Sequence, residues 1–453
     1  MNTWIDKAVF YHIYPLGFCG APEHNNVRSQ LVPRLEKIKT WLDHLQWLGV
    51  NCLYLGPIFE STTHGYDTAD YYHIDRRLGT DGNMVALSQE IHRRGMHLVL
   101  DGVFNHVGRD FWAFKDVLAN GSESPFCDWF VNLRFNGRSP FGDSFTYEGW
   151  NGNYDLVKLN LHNPQVIDHL LFAVESWVKD YQIDGLRLDA ADQLDMDFIE
   201  TLSAYCQGIR PGFWLMGELI HGDYAQWVRP GRLDSATNYE CYKGLFSSLN
   251  DQNFFEIAHS LKRQFADFGI YEYLLLYSFT DNHDVDRVAS QLNNPADLFN
   301  LYTILYTMPG IPSIYYGSEW GIQGKKSNNN DQPLRPELDL DELIQGAPQP
   351  EMPVHLANLA RIRQSLPALQ NGSYRQIMVS SQQFAFIREK DGQKVLVAVN
   401  SSDQNAGITI PVHQIGSGKW IDQLNSGIVW DSSRESAALN IPARWGRILE
   451  YQP

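Results

Sequence analysis

Eight short apolar runs, with helical patterns between several of them, constrain this chain more than anything else in it. The runs are Val9–Tyr14, Cys52–Ile58, His97–Phe104, Gly185–Asp189, Phe213–Leu219, Ser235–Tyr239, Leu274–Thr280 and Ser313–Tyr316. Between the first two, Leu31, Leu35, Ile38, Trp41, Leu42, Leu45 and Leu48 recur at steps of three and four. That spacing predicts an amphipathic helix stopped by Gly49. Val166, Leu170, Leu171, Val174, Trp177 and Val178 repeat the pattern ahead of the fourth run. Apolar strands alternating with helices imply a parallel sheet buried on both faces. Eight such units close into an α/β fold of the (β/α)8 barrel type. A doubly wound open sheet is the competitor, but no G-x-G-x-x-G follows the first strand.

Two segments break the alternation. Residues 107–158 are rich in Gly, Asn, Ser and aromatics and show little periodicity, which predicts a small inserted subdomain. After about Gly372 short alternating strands take over: Gln382–Arg388, Val395–Asn400, Ile408–Val412 and Ile448–Tyr451. Turn residues such as Lys390-Asp391-Gly392 separate them, so an all-β sandwich is expected there. The barrel then occupies residues 1–106 and 159–372, and the sandwich residues 373–453. Ser327-Asn328-Asn329-Asn330 reads as a loop.

Composition narrows the function. The chain is 43% hydrophobic and 20% charged, which fits a folded globular protein and excludes a wholly disordered one. Lys and Arg total 36 against 53 Asp and Glu, a net charge of −17 that repels phosphate backbones and anionic lipid. No nucleic-acid or membrane partner is expected. No basic n-region with a long apolar stretch opens the chain, and no run approaches the roughly 20 residues of a membrane span. The five cysteines are scattered without C-x-x-C spacing, which fits reduced thiols in a cytoplasm. With 13 Trp, 22 Tyr and 23 Phe there are rings enough for a core and for sugar stacking alike.

Barrel sites lie at the C-terminal strand ends. There strand three ends in Asp101-Gly102-Val103-Phe104-Asn105-His106 and strand four in Arg187-Leu188-Asp189. Strand five ends in Gly217-Glu218-Leu219 and strand seven in Asp281-Asn282-His283-Asp284. Taken singly, each residue is ordinary. An acid at a strand end commonly caps the next helix, Arg187 and Asp189 could form a plain ion pair, and buried histidines are common. Their coincidence on one rim is what points to chemistry. Crowded carboxylates raise one another's pKa, as a general acid requires.

These segments resemble the short conserved regions of the α-amylase superfamily of glycoside hydrolases. The matches are DGVFNH at Asp101–His106, GLRLDAA at Gly185–Ala191, GEL at Gly217–Leu219 and FTDNHD at Phe279–Asp284, with VKLN at Val157–Asn160 as a fifth. HGYDTADYYHID at His64–Asp75 and the stretch Gly217–Tyr239 are similar to the cyclomaltodextrinase–neopullulanase–maltogenic amylase group. The resemblance implies Asp189 as nucleophile, Glu218 as acid/base and Asp284 as transition-state stabiliser. It also implies sugar-binding roles for His64, Tyr66, Asp101, His106, Arg187, His221, His283, Asp331 and Arg335. Arg187 should keep Asp189 ionised, and crowding should keep Glu218 protonated.

The implied activity is retaining hydrolysis of α-1,4-glucosidic bonds in maltooligosaccharides, cyclodextrins or starch-type glucans. A glucanotransferase or an α-glucosidase, including a 1,6-specific one, uses the same glycosyl-enzyme and stays open. A non-catalytic scaffold on the same barrel is the reading from another class, but it fits poorly with three intact carboxylates. Several residues depart from the family. Ile220 replaces an aromatic two places after the acid/base, and Asp192-Gln193 replaces a Lys-His pair whose His lends an oxygen to calcium. Asn105 remains as one ligand of the six to eight that calcium wants, so no cofactor is required and a structural calcium is left open. The barrel starts almost at Met1, so the N-terminal domain that builds dimers in that group is not implied. Monomer and homo-oligomer both stay open.

Overall fold

The computed structural model describes residues 3–26, 31–327, 330–433 and 438–452. Asn328 and Asn329 of the expected loop lie outside them. Eight parallel strands form one sheet: Phe10–Ile13, Cys52–Leu55, His97–Gly102, Gly185–Leu188, Trp214–Gly217, Ser235–Ala236, Tyr277–Phe279 and Ile311–Tyr315. Consecutive strands pair from the first to the sixth, the seventh pairs with the eighth, and the eighth with the first. Between strands six and seven, Thr237 pairs with Tyr277 in parallel, and the Asn238 N–H donates to the Tyr277 carbonyl at 2.8 Å. The sheet is thereby brought round into a barrel.

Strand parity separates two environments. Phe10, Cys52, Tyr54, Val99, Trp214 and Met216 point inward and pack as the barrel interior. Tyr11, Leu53, Leu98, Leu186 and Leu215 point outward, against the helices. Helix starts follow local chemistry. Thr80 and Asn83 form a reciprocal cap on Asp81–Arg93, and Asn163 caps Pro164–Tyr181 with proline in its first turn. Asp195 caps Met196–Ile209. The helix expected between the first two strands spans Glu36–Trp47 and does not reach back to Leu31, which is 52% exposed. Pro33 lies between them and disfavours helical geometry in the residue before it.

Two short strands, Phe59–Ser61 and Thr68–Ile74, pair beyond strand two. The segment after strand three holds His106–Gly108, Asn153–Lys158 and Gly149–Trp150 as a three-stranded antiparallel sheet. It also contains a helix, Trp112–Asn120, that the sequence pattern did not predict. Toward the C-terminus, six antiparallel strands run in the order Ser373–Val379, Gln383–Lys390, Gln393–Asn400, Trp445–Gln452, Lys419–Asp422, Val429–Asp431. Ala406–Thr409 and Ala438–Ile441 pair separately. Phe384, Phe386, Val395 and Val397 on one face join the core of the barrel helices. Ala385, Leu396, Trp420 and Leu449 on the other face pack with Ile408 and Leu439 of the separate pair. Among the described residues, no helix is long and apolar enough to cross a membrane.

Candidate active site

Inward parity on strands three and four carries Asp101, Arg187 and Asp189 to the C-terminal mouth of the barrel. Arg187 organises the group. Its Nη1 lies 2.9 and 3.1 Å from the two Asp101 oxygens and 2.8 Å from Asp189 Oδ1. Its Nη2 lies 2.8 Å from Glu218 Oε1. One guanidinium therefore bridges three carboxylates. Asp101 is fixed by hydroxyl donation from Tyr54 at 2.9 Å and Tyr66 at 3.1 Å. The chain after Asp189 turns sharply, with Ala190 at φ +43° in the left-handed region. That turn aims the Ala190 N–H at Glu218 Oε2, 3.1 Å away. His106 Nε2 stands 4.0 Å from Asp189 Oδ2, and Trp150 of the inserted sheet lies 5.6 Å from the His106 ring.

The opposite wall is built after strand seven. Asn282 Oδ1 accepts from the backbone N–H groups of Asp284 and Val285, which shapes the turn. His283 Nε2 is 3.0 Å from Asp284 Oδ2 and is also bonded to the Tyr66 hydroxyl. Arg335 Nη2 reaches Asp284 at 3.0 Å and Asp331 at 3.1 Å, and its Nε donates to the His283 carbonyl. The Arg335 guanidinium sits over the Tyr14 ring at 4.6 Å, and Tyr14 donates to the His64 carbonyl. Tyr14, His64, Asp331 and Arg335 line a cavity of about 320 Å³ beyond this wall.

The charges follow from these neighbours. Burial pushes the Asp189 carboxyl well up; Arg187 opposes this, while Glu218 and Asp101 add to it. Arg187 favours the charged form of Asp189, as its place beside the carboxylate predicts, while burial and the neighbouring carboxylates work against it. Burial also raises Asp284, but His283, Arg335 and Arg187 outweigh it and hold that carboxyl well below the usual range. Burial, with His64 nearby, lowers the His106 imidazole to about 3, so the ring is neutral at ordinary pH.

Of the residues named from sequence, Asp189, Glu218, Asp284, Arg187, His106, His283 and Tyr66 converge at the mouth, and His64, Asp331 and Arg335 adjoin it. Asp101 is 2% exposed and accepts through both oxygens from the Arg187 guanidinium, which it holds in place. His221 does not join the group: it lies exposed on the loop after strand five, beside the exposed Ile220. Sequence reading missed His12, Tyr14, Tyr54 and Ala190. The first three are hidden among apolar strand residues, and strand parity was the signal for His12 and Tyr54. Nothing in an alanine announces a left-handed turn.

Asn105 Oδ1 is buried without a partner, which invites a test for calcium. The cavity beside it is lined by Asn160, Lys158, Gln193 and Asp195. Lys158 is a cation, and Asp195 is spent on capping its helix. Among the described residues no group of three or more His, Cys, Asp or Glu is placed to hold a metal ion. The donors present do not fit a calcium site.

Comparison with known proteins bears on this geometry. Residues 13–341 match the family model described as alpha amylase, catalytic domain. A cyclomaltodextrinase from a Bacillus species is 30% identical over 431 residues, covering 90% of this chain and 75% of that protein. An intracellular maltogenic amylase from Bacillus subtilis is 30% identical over 339 residues, 71% of this chain and 57% of the relative. The solved structure of a debranching enzyme from Nostoc punctiforme superposes with a TM-score of 0.84 at 27% identity, covering 99% of each chain.

Proposed function

The chain belongs to the alpha-amylase family of glycoside hydrolases, and we propose that it cleaves α-1,4-glucosidic bonds of maltooligosaccharides and cyclodextrins with retention. The bridging of Asp189 and Glu218 by one guanidinium carries this reading. Retention needs a nucleophilic and a proton-donating carboxyl group side by side, and one shared guanidinium draws Asp189 and Glu218 to the same place. In the first step Asp189 attacks the anomeric carbon as the glycosidic bond breaks, and Glu218 gives its proton to the leaving oxygen. In the second, Glu218 takes a proton from water, which displaces Asp189 and restores both groups. Asp284, held charged by His283 and Arg335, faces the positive charge that develops on the ring.

His106, with its ring neutral, and His283 are placed to bond sugar hydroxyls, with Tyr66 as a stacking face. Trp150 of residues 107–158 borders the mouth beside the His106 ring. The carboxylate chemistry routes no step through a metal. Likeness to a debranching enzyme favours α-1,6 cleavage as a second activity. Likeness to an intracellular relative, together with five unpaired cysteines, favours the cytoplasm. Product analysis on maltotriose, β-cyclodextrin and pullulan tests the substrate range. Asp189→Asn, Glu218→Gln and Asp284→Asn should each lower kcat by roughly a thousandfold or more with the fold intact by circular dichroism. Near-normal turnover by any one of them overturns the assignment.

A further inference from the structure

Strand one spends one of its two inward positions on a histidine. Phe10 closes the barrel interior, while His12, 3% exposed, comes up beneath the site. Its ring stacks on Tyr54 at 4.2 Å and meets His283 edge-on at 5.2 Å, with Tyr315 at 5.0 Å. Tyr54 is a donor to Asp101, which anchors Arg187 and through it Asp189 and Glu218. His283 holds Asp284. His12 therefore touches both halves of the carboxylate group.

A cavity of about 10 Å³, room for a single water, lies among His12, Arg187, Glu218, Asn282 and His283. His12 Nε2 and His283 Nδ1 are both buried without a hydrogen-bond partner. A phenyl ring would supply the same stacking without a polar atom to satisfy. We propose that His12 is a positioning residue for the hydrolysis, setting His283 and Asp284 against the Arg187-held pair and joining them through one water in this cavity.

The inference rests on the roles given above to Asp189, Glu218 and Asp284. Burial, with His283 and Arg187 close by, keeps the His12 ring neutral against the pull of Asp284. The ring thus offers one donor and one acceptor nitrogen. The other titratable or charged groups facing it are Tyr54, Glu218, Tyr277, Arg287 and Tyr315.

The test compares His12→Phe, which keeps the ring, with His12→Gln, which keeps a polar end, using β-cyclodextrin across pH. His12→Phe should lose about 10-fold to 100-fold in kcat with KM within about twofold, and the alkaline limb of its kcat profile should move. Its Tm should hold, and His12→Gln should recover part of kcat. Parental kcat and pH profile in His12→Phe overturn the proposal, since packing alone would then explain the ring. A kcat loss that follows Tm in both variants, with no change in pH profile, also overturns it. Asp189→Asn assayed alongside separates the two claims, because turnover by that variant would sink the catalytic reading itself.

Discussion

Asp189 and Asp284 belong to one rim, and their surroundings drive them in opposite directions. Burial and like charges raise Asp189, so the folded protein binds its proton above the unfolded value of about 3.9. Over that window stability falls as pH rises. Asp189→Asn should therefore raise Tm, and the gain should grow as pH increases from about 4 toward neutrality. Asp284 is depressed, so its contribution is present above about pH 3.9 and lost as pH falls through the folded value. Asp284→Asn should lower Tm at neutral pH, with the deficit shrinking in acid. Thermal melts across pH check both, and a parallel response of the two variants would refute the opposed environments. The residue identities were legible in DGVFNH, GLRLDAA, GEL and FTDNHD, but their charge states were not. Those depend on how many carboxylates Arg187 must serve, and spacing along a chain does not count neighbours in space.

At the level of elements, short apolar runs located all eight barrel strands, because each is buried on both faces and spells that burial directly. Patterns failed where burial is partial. Trp112–Asn120 sits in an aromatic-rich insertion whose periodicity is masked, and Lys419–Asp422 and Val429–Asp431 are short with exposed positions. The sequence also gave no hint of how the helices grip the C-terminal sheet. Arg388, on the strand Gln383–Lys390, is 1% exposed and donates to the carbonyls of Thr307, Leu369, Gly372 and Ser373. Arg363, equally buried, donates to Tyr306, Leu369 and Gly310. Two cations are held here by carbonyls with no carboxylate in either bond set. Arg388→Met should cost about 1–3 kcal/mol for each buried carbonyl left without a donor. Chemical denaturation should register that loss while kcat stays unchanged; parental stability would show that water replaces the guanidinium.

Across the whole molecule, barrel and C-terminal sheet share one core. Phe384, Phe386, Val397 and Ile448 pack in the same cluster as Leu305 and Leu369 of the barrel side. A sheet tied on in this way is part of the folding unit, although strand patterning alone presented it as an appendage. The full chain should unfold in a single calorimetric transition. A chain ending at residue 372 should be insoluble or bind hydrophobic dye, because the faces beneath that sheet would meet water. A soluble, active truncation would contradict the shared core.

The join between strands six and seven has a mechanical meaning. A ring yields first where its stitching is thinnest, and here strand six is joined to strand five by two residue pairs and to strand seven by one, the clasp. Asp189 and Glu218 stand on adjacent strands on one side of it, and Asp284 follows strand seven on the other. Breathing at the clasp would widen or narrow the bite on a sugar ring while the spacing of the two reacting acids stays constant.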